Sequence, residues 1–156
     1  MKATVAALCL VATAQQALAL SCVAPDPLRA FAEAAAAPEV HIVVQGSFAF
    51  EGAFPEGGGD TQPEPKAIPA RFTGHGLTAE GFTTPLSMWV TLDASCLGPW
   101  CGSLAPETEQ LAFLERRVDG YHLAVGPCPT RLFAPADVAT AESLQACIAK
   151  PGACGG

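Results

Sequence analysis

The sequence predicts a mainly β domain: a small five-stranded Greek-key barrel of the OB type, with an N-terminal and a C-terminal helix and disulfide staples. Three observations carry this reading. Apolar residues alternate with period two in five segments between residues 40 and 125, while helical spacing is confined to the two ends. The first of those segments is long, and glycines fall at its bends, which favours a closed barrel over a flat sheet. Six cysteines follow residue 20, an even number suited to stapling a small domain. An immunoglobulin-like sandwich is the alternative, but it would need about seven strands.

Residues 1–19 have the order of a secretory signal. Lys2 gives a positive start, an apolar run follows to about Ala14, and two small-residue patterns, Ala17-Leu18-Ala19 and Ala19-Leu20-Ser21, offer cleavage after residue 19 or 21. Gln15 and Gln16 interrupt the run, and a transmembrane span would need about 20 unbroken apolar residues. Lipidation of Cys22 would want leucine where Ala19 stands. The expectation is a secreted or periplasmic protein whose residues 20–156 form one domain.

Within that domain, Asp26-Pro27 opens a helix: a side-chain cap, then a proline whose missing N–H costs nothing there. Leu28, Phe31 and Ala35 keep helical spacing until Pro38 stops it. From Val40 to Phe50 the period becomes two, with Val40, Ile42, Val44, Phe48 and Phe50 on one face and His41, Val43, Gln45 and Ser47 on the other. Gly46 suggests a bulge or bend in this strand. Residues 51–69, with Gly57-Gly58-Gly59 and four prolines, read as a loop. Further strands are expected over Ile68–Leu77, over Leu86–Leu92, over Leu111–Val118 and through Tyr121, Leu123 and Val125. Asp119-Gly120 between the last two signals a type I′ hairpin, with positive φ at both residues. A final helix is expected from about Asp137 or Thr140 to Ala149, ended by Pro151-Gly152. One core is predicted from Ile42, Val44, Phe48, Phe72, Met88, Val90, Leu92, Phe113, Leu123 and Val125.

The cysteines are Cys22, Cys96, Cys101, Cys128, Cys147 and Cys154. Six allow fifteen pairings. Turn-forming residues inside the short spans suggest Cys96–Cys101 and Cys147–Cys154, which leaves Cys22 for Cys128. The full chain carries 8 basic and 15 acidic residues, a net charge of −7, and is one unit more negative without Lys2. Such a surface repels phosphate backbones, which argues against nucleic acid as a partner.

Several features together resemble the netrin-like domain, the fold shared with the N-terminal part of the tissue inhibitors of metalloproteinases. They are Cys22 before the Asp26-Pro27 helix start and Phe31, the long Val40–Phe50 strand, and Cys101-Gly102 after the third strand. The apolar Leu111-Ala112-Phe113-Leu114 strand, Tyr121-His122-Leu123 leading to Cys128, and a cysteine-bearing last helix complete the order. The resemblance implies an OB-type barrel, and its cysteine pattern offers Cys22–Cys101 as another pairing. The inhibitors of that family begin with Cys-x-Cys and bind protease zinc through the first cysteine. Here Ser21-Cys22-Val23-Ala24 holds one cysteine, and the Cys96/Cys101 pair sits differently, so the likeness speaks to fold more than to activity.

Chemistry-bearing motifs are sparse. His41, His75 and His122 lack the spacing of a zinc site and read as solvated or hydrogen-bonded surface residues. There is no Gly-x-Ser-x-Gly elbow, no Cys-x-x-Cys and no phosphate-binding glycine loop. No cofactor is implied. Trp89 falls on the face opposite Met88 and Val90, where it either packs under the C-terminal helix or stands exposed as an anchor; Trp100 is the second aromatic candidate. The expectation is a non-catalytic exported binding module whose partner is a protein, with Cys22, Trp89 and Trp100 as candidate contact residues. The alternatives are a metalloprotease inhibitor acting through the segment around Cys22, and a small envelope hydrolase, for which a buried His–carboxylate pair in a cleft would be the sign.

Overall fold

A computed structural model describes residues 20–58, 62–150 and 154; the expected signal segment lies outside them. Asp26 caps helix α1 (Pro27–Ala36), its carboxylate accepting from the Leu28 and Arg29 amides at 3.0 Å. The strands are β1 (His41–Phe50), β2 (Lys66–Thr78), β3 (Gly81–Ala94), the short hairpin β4 (Cys96–Leu97) and β5 (Trp100–Cys101), then β6 (Gln110–Arg117), β7 (Gly120–Val125) and β8 (Leu132–Phe133). Helix α2 (Val138–Ala149) follows, capped by Asp137 through the Thr140 amide at 2.8 Å. No helix among the described residues is long and apolar enough to cross a membrane.

The five long strands pair in the order β1-β2-β3-β7-β6, and β6 returns to β1, so the sheet closes. Every pairing is antiparallel except β3 with β7, the strand order of an OB-type barrel. Closure depends on β1 serving two neighbours. Residues 41–46 pair with β6 and residues 44–50 with β2. Register runs unbroken through Gly46 opposite Gly74, so the expected bulge is absent there and the one irregularity falls at Gly76/Leu77. Pro69 lies inside β2, not in the preceding loop. β1 pairs only as far as Ala70, and β7 meets β3 only from Val90, so Pro69 and Pro85 both occupy strand stretches with a single partner.

Two cores result. Inside the barrel are Val44, Phe48, Ile68, Phe72, Val90, Leu92, Ala112, Leu114, Leu123 and Val125, with Ile42 and Met88 packed against them; the Phe48 and Phe72 rings lie 5.1 Å apart. Outside it, Val43, Leu111 and Phe113 meet Ala30 and Ala34 of α1, Leu144 of α2 and Phe133. Phe113 is therefore reassigned from the predicted single core to this outer one. β6 is covered on both faces, so Leu111 to Leu114 are all buried and its alternation gives no phase. Val90→Ala, which removes volume from the barrel interior, should lower the unfolding free energy by about 1–3 kcal/mol in urea titration.

The β6–β7 hairpin forms, but not as type I′. Its two-residue loop is Val118-Asp119, because Arg117 pairs with Gly120. Only Gly120 takes positive φ, at 135°. The same arrangement closes β2–β3, where Thr78 pairs with Gly81 and that glycine has φ 92°.

The three disulfides are Cys22–Cys128, Cys96–Cys101 and Cys147–Cys154, with Cα separations of 5.4, 4.0 and 5.4 Å. The middle value falls just under the usual range of about 4.4–6.8 Å, because its cysteines face each other directly across β4–β5.

Candidate functional site

The topology gathers every long connection at one end of the barrel. β1 ends there and β2 begins; β3 ends and β6 begins; β7 ends and β8 begins. At the opposite end are the two tight turns, with α2 braced against the β2–β3 tip by Gln145 Nε2 donating to Ala79 O at 2.7 Å.

The loop end is tied together. Ser95 N donates to Val125 O at 3.1 Å, and Gly102 N donates to Ser95 O at 3.0 Å, which seats the β4–β5 hairpin against the exit of β7. Gly98 N donates to Gln62 Oε1 at 3.3 Å and Lys66 Nζ to Ala53 O at 2.7 Å, linking the β1–β2 loop to that hairpin and to β2. Glu107, the one described non-glycine residue with positive φ (57°), donates its N–H to Phe48 O at 2.9 Å. On this platform the disulfide-closed hairpin presents Leu97 and Trp100, with Trp100 at 38 % exposure. Cys22 is bonded to Cys128, three residues beyond Val125, so two of the expected contact residues, Cys22 and Trp100, belong to one end.

Beside Cys22 a groove of about 220 Å³ runs between residues 21–26, α1 and residues 128–130. Arg29 Nη2 donates to Ala24 O at 3.1 Å across it, and Arg131 Nη1 donates to Ala30 O at 2.9 Å. Both guanidinium groups meet Glu33, at 3.7 and 3.4 Å, so the charges beside the groove are paired, while its lining exposes more apolar than polar surface.

Trp89 stands elsewhere. It projects from the outer face of β3, 65 % exposed, with the Arg71 guanidinium 5.6 Å from its ring centroid. It does not pack under the C-terminal helix, because α2 reaches β2 and β3 at the turn end, where Leu77 and Phe82 join the outer core.

His122 is also corrected. It is 6 % exposed, the buried polar residue of the described chain, with partners from β3, from β6 and from the β6–β7 turn. Its Nε2 lies 3.1 Å from Asp119 Oδ1, and its Nδ1 lies 3.1 Å from Asp93 Oδ2 and 3.0 Å from Arg117 Nη1. Asp119 is an acceptor only, so Nε2 carries the proton of that bond; Nδ1 accepts from Arg117 in the neutral ring and donates to Asp93 in the charged one. Arg117 also forks onto Glu115 through Nε and Nη2, at 2.7 and 3.1 Å. That hydrogen-bonded guanidinium, and then its charge, holds the Glu115 carboxyl below the usual range; Glu115 in turn raises Arg117 further. Among the described residues no Ser or Thr hydroxyl bonds to His122, and both ring nitrogens are engaged. The cluster locks the β6–β7 hairpin onto β3.

A group whose folded pKa is depressed stabilises above its unfolded pKa, and that contribution is lost as pH falls through the folded value. Glu115→Gln should therefore be less stable than wild type near pH 6. The gap should close as pH drops from about 5 to below 4, read as unfolding midpoints at each pH.

Sequence phase had put His122 outward, which is right for direction but not for burial. Asp93 shares the outward phase of β3, and the signal linking them is the parallel β3–β7 register. Comparison with protein-family models, with curated proteins and with solved structures gives no match to this chain.

Proposed function

We propose that this is a non-catalytic, exported protein-interaction module of netrin-like type, which contacts its partner through the loop end of the barrel. The observation that carries it is the β4–β5 hairpin: Leu97 and Trp100 exposed on a disulfide-closed loop that is hydrogen-bonded to two neighbouring segments. An indole held on a rigid support loses little freedom on binding, which is how a few aromatic residues come to dominate interfaces. The test is photocrosslinking in the exporting cell, with a photoreactive side chain at position 100 or at position 118 on the opposite end. A discrete protein adduct from position 100 and none from position 118 is expected. Adducts from both, or from neither, would refute the reading.

One observation keeps metalloprotease inhibition as a second reading. Cys22 is exposed and bonded to Cys128 beside the hairpin, so a terminal amine at Cys22 would emerge at the same end. Cleavage after Ala19 leaves Leu20-Ser21 ahead of Cys22, turning that nitrogen into an amide that cannot chelate zinc. Cleavage after Ser21 frees an amine with pKa of about 7.7–8.0. Ala19 at the cleavage position outranks Ser21, so Leu20 is the expected first residue and no chelating inhibition follows. N-terminal sequencing and an assay against zinc proteases decide between the two.

A further inference from the structure

We propose a second binding site, on the outer face of the β2–β3 hairpin, for a saccharide that carries an isolated carboxylate among neutral sugars. The register aligns four outward pairs on this face: Pro69 with Thr91, Arg71 with Trp89, Thr73 with Ser87 and His75 with Pro85. None of the eight is acidic, in a chain where acids outnumber bases 15 to 8. Asp93, the next outward residue of β3, is already engaged by Arg117 and His122. No carboxylate pairs with Arg71 among the described residues. Its Nε donates to Ser87 Oγ at 3.2 Å, which helps hold the guanidinium over the indole; Arg71 is exposed, and no hydrogen bond among the described residues engages its outer N–H groups.

That arrangement selects a ligand class. A planar guanidinium with open N–H groups matches a carboxylate through two parallel bonds. Trp89, 65 % exposed, offers indole surface beside that guanidinium to the C–H face of a sugar ring. Thr73, Ser87 and Thr91 supply hydroxyls at the spacing of the strands, to meet sugar hydroxyls on either side. One guanidinium takes one carboxylate, and the net negative charge of the protein disfavours a polymer charged on every ring. An extended peptide fits less well: the stretch of β3 without a β7 neighbour contains Pro85, which lacks the N–H that strand addition needs. This face and the loop end are different surfaces, so either assignment can fail alone.

The test is an NMR titration of the two indole N–H signals, one for each tryptophan of the chain. The probe is a neutral oligosaccharide ending in one glucuronate, compared with its methyl ester and with a peptide of similar length containing one glutamate. The Trp89 signal should move on adding the acid and the Trp100 signal should stay. Methyl esterification, Arg71→Ala and Trp89→Ala should each weaken binding by about tenfold or more, the last followed by calorimetry, and Trp89→Phe should retain most of it. No movement of the Trp89 signal, undiminished binding by Trp89→Ala, or equal affinity for the glutamate peptide would overturn the assignment.

Discussion

Replacing Cys22 and Cys128 together by alanine is expected to lower the unfolding free energy by about 3–5 kcal/mol and the Tm by roughly 10–20 °C. This bridge spans 106 residues of sequence, against 5 and 7 for the other two. In the loop-entropy description a crosslink restricts the unfolded chain more as its loop lengthens, so each short bridge contributes about 2 kcal/mol. In the native state the long bridge fastens residues 20–26, which belong to no helix or strand, to the exit of β7. Without it α1 keeps Ala30 and Ala34 in the outer core, so the barrel should survive as a weaker version of itself. Guanidinium unfolding of the Cys22→Ala/Cys128→Ala protein beside Cys96→Ala/Cys101→Ala makes the comparison. Equal losses from the two would show that loop length is not what sets the contribution here.

The parts of this fold legible in the sequence are those that depend on a strand's own alternation. β1, β2, β3 and β7 carry their inward residues where period two places them, since one face of each meets the barrel interior. β6 was misread because its outer face is also buried: Leu111 and Phe113 point to the helices and Ala112 and Leu114 to the interior, and four consecutive apolar residues have no period. The cluster around His122 was missed for a different reason. Asp93, Glu115 and His122 converge only after β3 pairs with β7 in parallel and β7 pairs with β6, a consequence of long-range topology that no local pattern records. Trp89 shows a third case. Its outward phase was readable, but whether a helix covers that face depends on where α2 lands. The disulfides follow the map that turn-forming residues inside the two short spans suggest, although six cysteines allow fifteen pairings and the family pattern offered Cys22–Cys101 as another.

Gly46→Ala is expected to cost about 3 kcal/mol or more. Gly46 does not take positive φ, so conformational freedom is not the reason. Space is. At this residue β1 pairs with both neighbours, Gln110 of β6 and Gly74 of β2. A Cβ there would stand 2.6 Å from Gly74 Cα and 2.8 Å from Phe72 Cζ, and would overlap the Thr73 carbonyl oxygen. Gly74 faces the same obstruction from the other strand, with Gly46 Cα at 2.6 Å and Phe72 Cζ at 2.8 Å. The two glycines thus let β1 and β2 approach closely here while the Phe72 ring lies against both. Two of the three obstructing atoms are backbone, which cannot move without parting the strands. Shrinking the ring should therefore not rescue the variant: in a double-mutant cycle with Phe72→Leu the coupling should stay under about 1 kcal/mol. Gly58→Ala, at a position where an added Cβ meets nothing within 4 Å, serves as the control and should stay within about 0.5 kcal/mol of wild type. If Phe72→Leu restored most of the stability lost in Gly46→Ala, the obstacle would be the ring alone, and the close backbone approach would not be what closes the barrel.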